Sequence, residues 1–473
     1  MSHSPRAAAT LPLLSHSNGS DTIAWRGSRR ISVQQFLADV RSLATRLPER
    51  ANALNLCHDR YHFAVAFAAS ALRGQCTLLP GAYAPELIRR LQTLTPDLYC
   101  LTDGGSDRER LPDLRGSIVS LDGELAGPSS HTSPERGAPE HIDPPQLPAA
   151  QVVAHVFTSG STGMPVPHKK TWGQLVENVR VEAARFLQGR TAWALLGTVP
   201  AQHMYGFEST VVLPLHCSGM FSSARPFFPA DVAAELELLP RPRALISTPV
   251  HLRALVDSGV KLPALDLVVS ATAILPIELA REVEERTQAP LLEIFGSTET
   301  GEMASRRPTT ERPWTLWPGV QLYATEGSWW ARGGQLPEPT RLADLFIPVG
   351  TDQFLLEGRS ADLVNVAGKR SSLAYLSQQL TSIPGVLDGA FFIREDAAPS
   401  ASGVIRLAAI AVAPGLDADH ITAALRDRID PVFLPRPLVL VEALPRTDTG
   451  KLPQRRLRDL AAQAAAAAPE LFT

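Results

Sequence analysis

Between residues 152 and 296 the chain repeats one pattern. Short apolar runs, VVAHVF (152–157), TAWALLGTV (191–199), RALIST (243–248), LDLVVSAT (265–272) and PLLEIFG (290–296), alternate with stretches of helical spacing such as 276–286. Strands that read as near-continuous apolar runs are covered on both faces, and the intervening helices supply the cover. The pattern therefore predicts an α/β fold of mostly parallel sheets rather than a sandwich. Upstream, Ser32 precedes Val33, Phe36, Leu37, Val40, Leu43, Ala44 and Leu47, an N-cap followed by a 3.6-period apolar face. Residues 54–79 predict further strand and helix units. Over 314–356 the helical signal gives way to Gly, Pro and aromatic residues, which predicts a β-rich subdomain. A composition break comes at EGRSAD (357–362), after which 363–458 can form its own compact α+β unit. The Pro-rich segment 126–147 reads as an exposed, mobile loop.

Charge narrows the function. The 45 basic and 48 acidic residues leave a net charge of −3, so no global positive excess draws the chain to nucleic acid or to an anionic membrane. No run of about 18 apolar residues and no leader-like segment occurs, and Cys57, Cys76, Cys100 and Cys217 lack metal-site or disulfide spacing. The expectation is a cytoplasmic protein with core thiols. Lysine is scarce: Lys169, Lys170, Lys261, Lys369 and Lys451 are the only ones among the 45 basic residues.

The loop Thr158-Ser159-Gly160-Ser161-Thr162-Gly163 sets four hydroxyl residues and two glycines between a predicted strand and a predicted helix (Trp172, Leu175, Val176, Val179, Ala183, Phe186, Leu187). Glycines let backbone N–H groups approach an anion, and hydroxyls add donors, which suits a polyphosphate. It is not a Walker A loop, because G-x-x-x-x-G-K-[ST] is absent both here and at Gly450-Lys451.

The strings TSGSTGMP (158–165), FGSTETGE (295–302), EGRSADLVNVAGKR (357–370) and LPRTDTGKLPQRRL (444–457), in this order, resemble the adenylate-forming superfamily of acyl- and aryl-CoA synthetases, luciferases and peptide-synthetase adenylation domains. The resemblance implies activation of a carboxylate by ATP with Mg2+, release of pyrophosphate, and an organisation of a large N-terminal domain over 1–358, a hinge at 359–362 and a small mobile α+β lid over 363–473. It places ATP against the 158–163 loop, against Ala271, Thr272 and Ala273, and against Phe295, Gly296, Ser297 and Thr298. Glu299 becomes the magnesium ligand, Phe295 the adenine contact, Asp344 and Arg359 the ribose contacts, Asp362 the hinge and Lys451 the adenylation lysine. The chemistry agrees: charge gathers on phosphate oxygens in the transition state, and cations and positioned donors stabilise it. Two positions depart from the family. Val166 stands where a lysine usually follows the proline, so either Lys169 or Lys170 reaches the β/γ-phosphates or the loop works through hydroxyls and backbone alone. Leu342-Ala343-Asp344 replaces the family's Thr-Gly-Asp.

The resemblance puts the acid pocket at His203, Tyr205, Gly206 and Phe207, with Ser270, Gly301 and Met303, and gives His203 a catalytic place beside the thiol. A histidine and a tyrosine beside Phe207 suggest a flat, hydroxylated aromatic acid, although apolar core packing explains them nearly as well, and no recognisable counterpart is present of the aspartate that pairs with an amino acid's ammonium, Glu208 being only a poor candidate. The acceptor is a phosphopantetheine thiol, of coenzyme A or of an acidic acyl carrier protein drawn by Arg446, Lys451, Arg455, Arg456 and Arg458. More narrowly the chain is similar to stand-alone ligases that load 3- or 4-hydroxybenzoate-type acids onto carrier protein for aryl-polyene (xanthomonadin-type) pigments. A fatty-acid ligase and a catalytically lapsed nucleotide-binding scaffold are the alternatives.

Overall fold

The computed structural model describes residues 9–80, 85–104, 118–121, 141–159, 165–187, 189–273, 275–359, 363–366, 369–393, 407–447, 452, 456–457, 459–460 and 463. Ser32 caps the helix Val33–Arg46 as expected, its side chain accepting from the Gln35 N–H at 3.1 Å. The expected strands form at Ala194–Gly197, Arg243–Ser247, Leu267–Ser270 and Leu291–Ser297, and they lie side by side and parallel. They make the centre of an 11-stranded sheet. Gly301–Arg306, Trp314–Leu316, Gln353–Arg359 and Asp344–Val349 extend it antiparallel on one flank, which is the β-rich region read from 314–356.

A second sheet of six strands is parallel except at Val152–Ser159 and Pro165–Thr171, which pair antiparallel. Arg60 ties the two sheets together. Its guanidinium is 1% exposed and donates to the carbonyls of Gly197, Val199 and Ala224 at 3.0, 2.8 and 2.7 Å, just beyond the C-terminal ends of parallel strands. That end of an open α/β sheet is where ligands bind. Burial draws the guanidinium down to about 10, and the carbonyls absorb its donors instead of water.

C-terminal to Arg359 the chain builds a separate apolar cluster, with Leu376, Leu380, Phe391, Ile421 and Leu425 at its centre. A three-stranded sheet of Asp388–Ile393, Leu407–Val412 and Leu438–Leu440 carries it. The four cysteines are free. Among the described residues no helix is long and apolar enough to cross a membrane.

Candidate active site

The expected strand–loop–helix over 152–187 is instead strand–hairpin–strand–helix. Val152–Ser159 turns back into Pro165–Thr171, with Thr158 opposite Val166, Lys169 opposite His155 and Lys170 opposite Ala154. The helix begins only at Trp172, because Thr171 and Gln174 close a capping box: Thr171 N–H donates to Gln174 Oε1 at 2.9 Å and Gln174 N–H to Thr171 Oγ1 at 3.3 Å. Pro165 and Pro167 are tolerated because this is an edge strand, where a missing N–H removes no ladder bond. The T-x-x-Q signature at 171–174 marks that boundary in the sequence. Residues Gly160, Ser161, Thr162 and Gly163, together with Asp362 and Lys451, lie outside the described residues.

The hairpin delivers its lysines to different surroundings. Lys170 is buried, with Nζ donating to the Glu299 carbonyl at 3.4 Å. Burial lowers its pKa, while Glu208 and Glu299 pull it back up. Lys169 is exposed, and both lysines line a cavity of about 350 Å3 together with Glu208, Glu299, Gly301 and Arg341.

Glu299 sits in the tight turn between Leu291–Ser297 and Gly301–Arg306. Ser297 and Thr300 clamp that turn, their hydroxyls 3.1 Å apart, and Thr300 N–H donates to Ser297 Oγ at 3.3 Å. The Glu299 side chain is 39% exposed, with His168 Nε2 at 3.8 Å from its carboxylate. A single outward carboxylate beside a polar cavity suits magnesium, a hard cation that takes one or two protein carboxylates and completes its octahedron with water and phosphate oxygens. Among the described residues no group of three or more His, Cys, Asp or Glu forms an all-protein metal cage.

The remaining nucleotide candidates lie on or just beyond strands of the 11-stranded sheet. Antiparallel register sets Asp344 opposite Arg359, although fifteen positions separate them in sequence. Phe295 is half-buried and meets Trp314, Phe346 and Phe354 edge-on at 5.6–5.7 Å. Gly296 backs onto the opposite strand, where a Cβ would collide with the Gly301 carbonyl. Thr272, just past Leu267–Ser270, is left-handed at φ 79. That conformation is strained for a β-branched residue, and such strain collects at functional sites.

His203 precedes the short helix Met204–Phe207 and accepts the Phe207 N–H at 2.7 Å. Tyr205 is buried and donates its hydroxyl to the Val269 carbonyl at 3.1 Å, and Phe207 packs in the core against Phe63 and Phe67. Gly206 permits this, since a Cβ there would collide with the Pro200 carbonyl. Ser270 and Met303 are buried beside them in the same sheet.

One group was missed from sequence. Glu182, Glu208 and Glu302 are buried at 0%, 2% and 4% exposure, with Asn178 Nδ2 donating to Glu208 Oε1 at 2.8 Å and Ser209 Oγ to Glu302 Oε1 at 3.0 Å. Burial and mutual repulsion raise the Glu182 carboxyl to about 8 and the Glu302 carboxyl well above its ordinary value. Burial raises Glu208 to about 7, with Lys170 opposing the shift. The available signal is positional: Glu182 falls on the apolar stripe Leu175, Val179, Glu182, Phe186 of the helix Trp172–Phe186.

The AMP-binding enzyme family matches residues 15–325, and the chain belongs to that family. It is 30% identical over 230 residues to a 4-coumarate–CoA ligase of Rhodobacter capsulatus, which covers 48% of this chain and 57% of that one. It is 25% identical over 357 residues to a 4-chlorobenzoate–CoA ligase of an Arthrobacter species, covering 66% and 67%. A 3-hydroxybenzoate–CoA ligase of an Aromatoleum species is 23% identical over 390 residues, covering 72% and 71%. The chain thus spans little more than half of the Rhodobacter ligase. Among solved structures, an anthranilate CoA ligase in complex with anthranoyl-AMP superposes with a TM-score of 0.79 at 17% identity, covering 97% of this chain and 99% of that one. ATP-bound MatB from Rhodopseudomonas palustris gives 0.78 at 19% identity, covering 94% and 97%. At these identities the likeness is one of fold, and the fold is that of adenylate-forming enzymes.

Proposed function

We propose that this enzyme activates a hydroxybenzoate-type aromatic acid with ATP and transfers the acyl group to a phosphopantetheine thiol. The observation that carries the reading is the turn that aims the Glu299 carboxylate outward into the cavity it lines with Lys169, while antiparallel register sets Asp344 opposite Arg359 in the same sheet. The acid's carboxylate attacks the α-phosphorus of ATP, the bond from that phosphorus to the bridging oxygen breaks, and pyrophosphate leaves. Magnesium, when bound, would neutralise phosphate charge, with Glu299 holding it and Thr298 against the α-phosphate. Lys169 faces the phosphate tail from the hairpin. The thiol then attacks the acyl carbon and AMP departs.

Relatives that bear the names of coumarate, chlorobenzoate and hydroxybenzoate ligases support an aromatic acid. For the acceptor, the basic run supports carrier protein less than its residue count suggests. Arg446 is bound in a bidentate pair with Asp388 at 2.6 and 2.7 Å, so it serves the fold. The deciding experiment is pyrophosphate release over a panel of benzoates, fatty acids and amino acids, repeated with coenzyme A and with holo carrier protein. The reading requires ATP-dependent release with 3- or 4-hydroxybenzoate above all others, and release with no acid overturns it.

The hairpin also yields a prediction about Lys169. Losing a charge-assisted contact worth about 1.5–3 kcal/mol raises the apparent KM for ATP by roughly ten- to a hundredfold in Lys169→Ala, with kcat less affected. Steady-state kinetics check this, and an unchanged KM removes Lys169 from the phosphate site.

A further inference from the structure

The hairpin carries a lysine in the protein interior where a strand of this kind ordinarily carries an apolar residue. Burying an ammonium costs several kcal/mol unless a counter-charge and hydrogen bonds answer it. Here Glu208 supplies the counter-charge, and Asn178 fixes Glu208 through the 2.8 Å bond from Nδ2 to Oε1. The Lys170 ammonium itself donates to one acceptor, the backbone carbonyl of Glu299.

The rest of the turn is held the same way. Gln335 Nε2 donates to the carbonyls of Thr300 and Glu302 at 3.2 and 2.6 Å, and Ser297 and Thr300 clamp the turn from within. Gly301 is left-handed at φ +71 and packs directly on the Asn178–Glu208 bond, where a Cβ would lie 3.2 Å from Asn178 Nδ2 and 3.3 Å from Glu208 Oε1. Lys170 and Gln335 therefore hold the backbone carbonyls of Glu299, Thr300 and Glu302 from elsewhere in the chain, and the Glu299 carboxylate is left facing outward.

We propose that Lys170, with Glu208 as its counter-ion, is a positioning residue: it fixes the Glu299 turn so that the carboxylate is preorganised for magnesium, and it does not touch the nucleotide. This rests on Glu299 being the metal ligand. The arrangement moves a cation from its usual place on the phosphates, where Val166 now stands, to the backbone beneath the metal ligand.

The test uses Lys170→Met, Glu208→Gln and the double variant in the full chain. It reads thermal unfolding, ATP binding by calorimetry at graded Mg2+ and without metal, and Mn2+ binding by electron paramagnetic resonance. Lys170→Met alone loses the bond to the Glu299 carbonyl and leaves Glu208 buried without its cation, so its thermal stability falls below wild type as pH rises through the Glu208 titration, whereas the double variant, with no carboxyl to ionise there, lacks that fall. Both raise the Mg2+ concentration for half-maximal ATP binding by about tenfold, the scale for losing a residue that orients a metal ligand. Metal-free ATP binding stays at the wild-type value. A double variant that is stable and has wild-type Mg2+ and Mn2+ affinity shows a structural role only and overturns the proposal. Weakened metal-free ATP binding in Lys170→Met also overturns it, by showing a direct phosphate contact. Glu299→Gln separates the two readings: if it leaves Mg2+ dependence unchanged, the metal assignment itself fails, whatever Lys170 does.

Discussion

Replacing Lys451 with alanine lowers acid-dependent pyrophosphate release by about 10³-fold while the protein stays folded, because a positioned cation at a phosphoryl centre contributes on the order of 10²–10⁵ in rate. The size of the effect follows from the chemistry. The attacking carboxylate and the α-phosphate are both anions, and a single ammonium bridging them offsets repulsion that grows as they approach. Lysine suits that place, since a compact charge on a flexible stem can be brought in by a moving segment. The retention of the fold is expected from the described residues on either side of 448–451. Arg446 is anchored to Asp388, and Leu444 and Leu452 pack on the cluster of Phe392, Ala408, Ile410 and Leu457. Pyrophosphate release, with circular dichroism and a melting curve as controls, checks both halves. Wild-type release from a folded variant removes Lys451 from the chemistry.

What the sequence displayed and what it hid divide along physical lines. The parallel strands were legible because burial on both faces leaves little room for polar residues, so Leu267–Ser270 and Leu291–Ser297 stand out as apolar runs. The strand Pro165–Thr171 was not, because two prolines and two lysines give an edge strand the composition of a loop. Local patterns also cannot report partners distant in the chain. Lys170 looked like a loop cation because its acceptor, the Glu299 carbonyl, is 129 positions away and its counter-ion Glu208 is on another element. Arg60 likewise satisfies carbonyls 137 to 164 positions on. Thr298 and Glu299 were named from sequence as candidates, whereas the interior that supports their turn needed the structure.

That interior also sets how the protein answers to pH. Glu182 has no exposed surface, and it faces Glu208, Glu302 and the Tyr205 ring from neighbouring elements, with Ser209 among the donors and Lys170 as the cation nearest Glu208. Its carboxyl titrates near 4.5 in the unfolded chain and is raised to about 8 in the folded one, first by desolvation and then by the Glu208 charge. The folded state therefore binds the proton more tightly, and the associated stability is fully present below about pH 4.5 and is lost progressively as pH rises towards 8. One such group changes stability by about 1.4 kcal/mol for each pH unit inside that window, so the loss reaches several kcal/mol. Glutamine keeps the shape of the protonated acid and cannot ionise. Glu182→Gln is thus expected to melt close to the wild type at pH 5 and well above it at pH 8, with a flatter dependence of Tm on pH between them. Scanning calorimetry at half-unit steps measures this directly. Identical slopes for the two proteins would mean that Glu182 is ionised in the fold throughout, held by a charge partner that its burial among carboxylates does not supply.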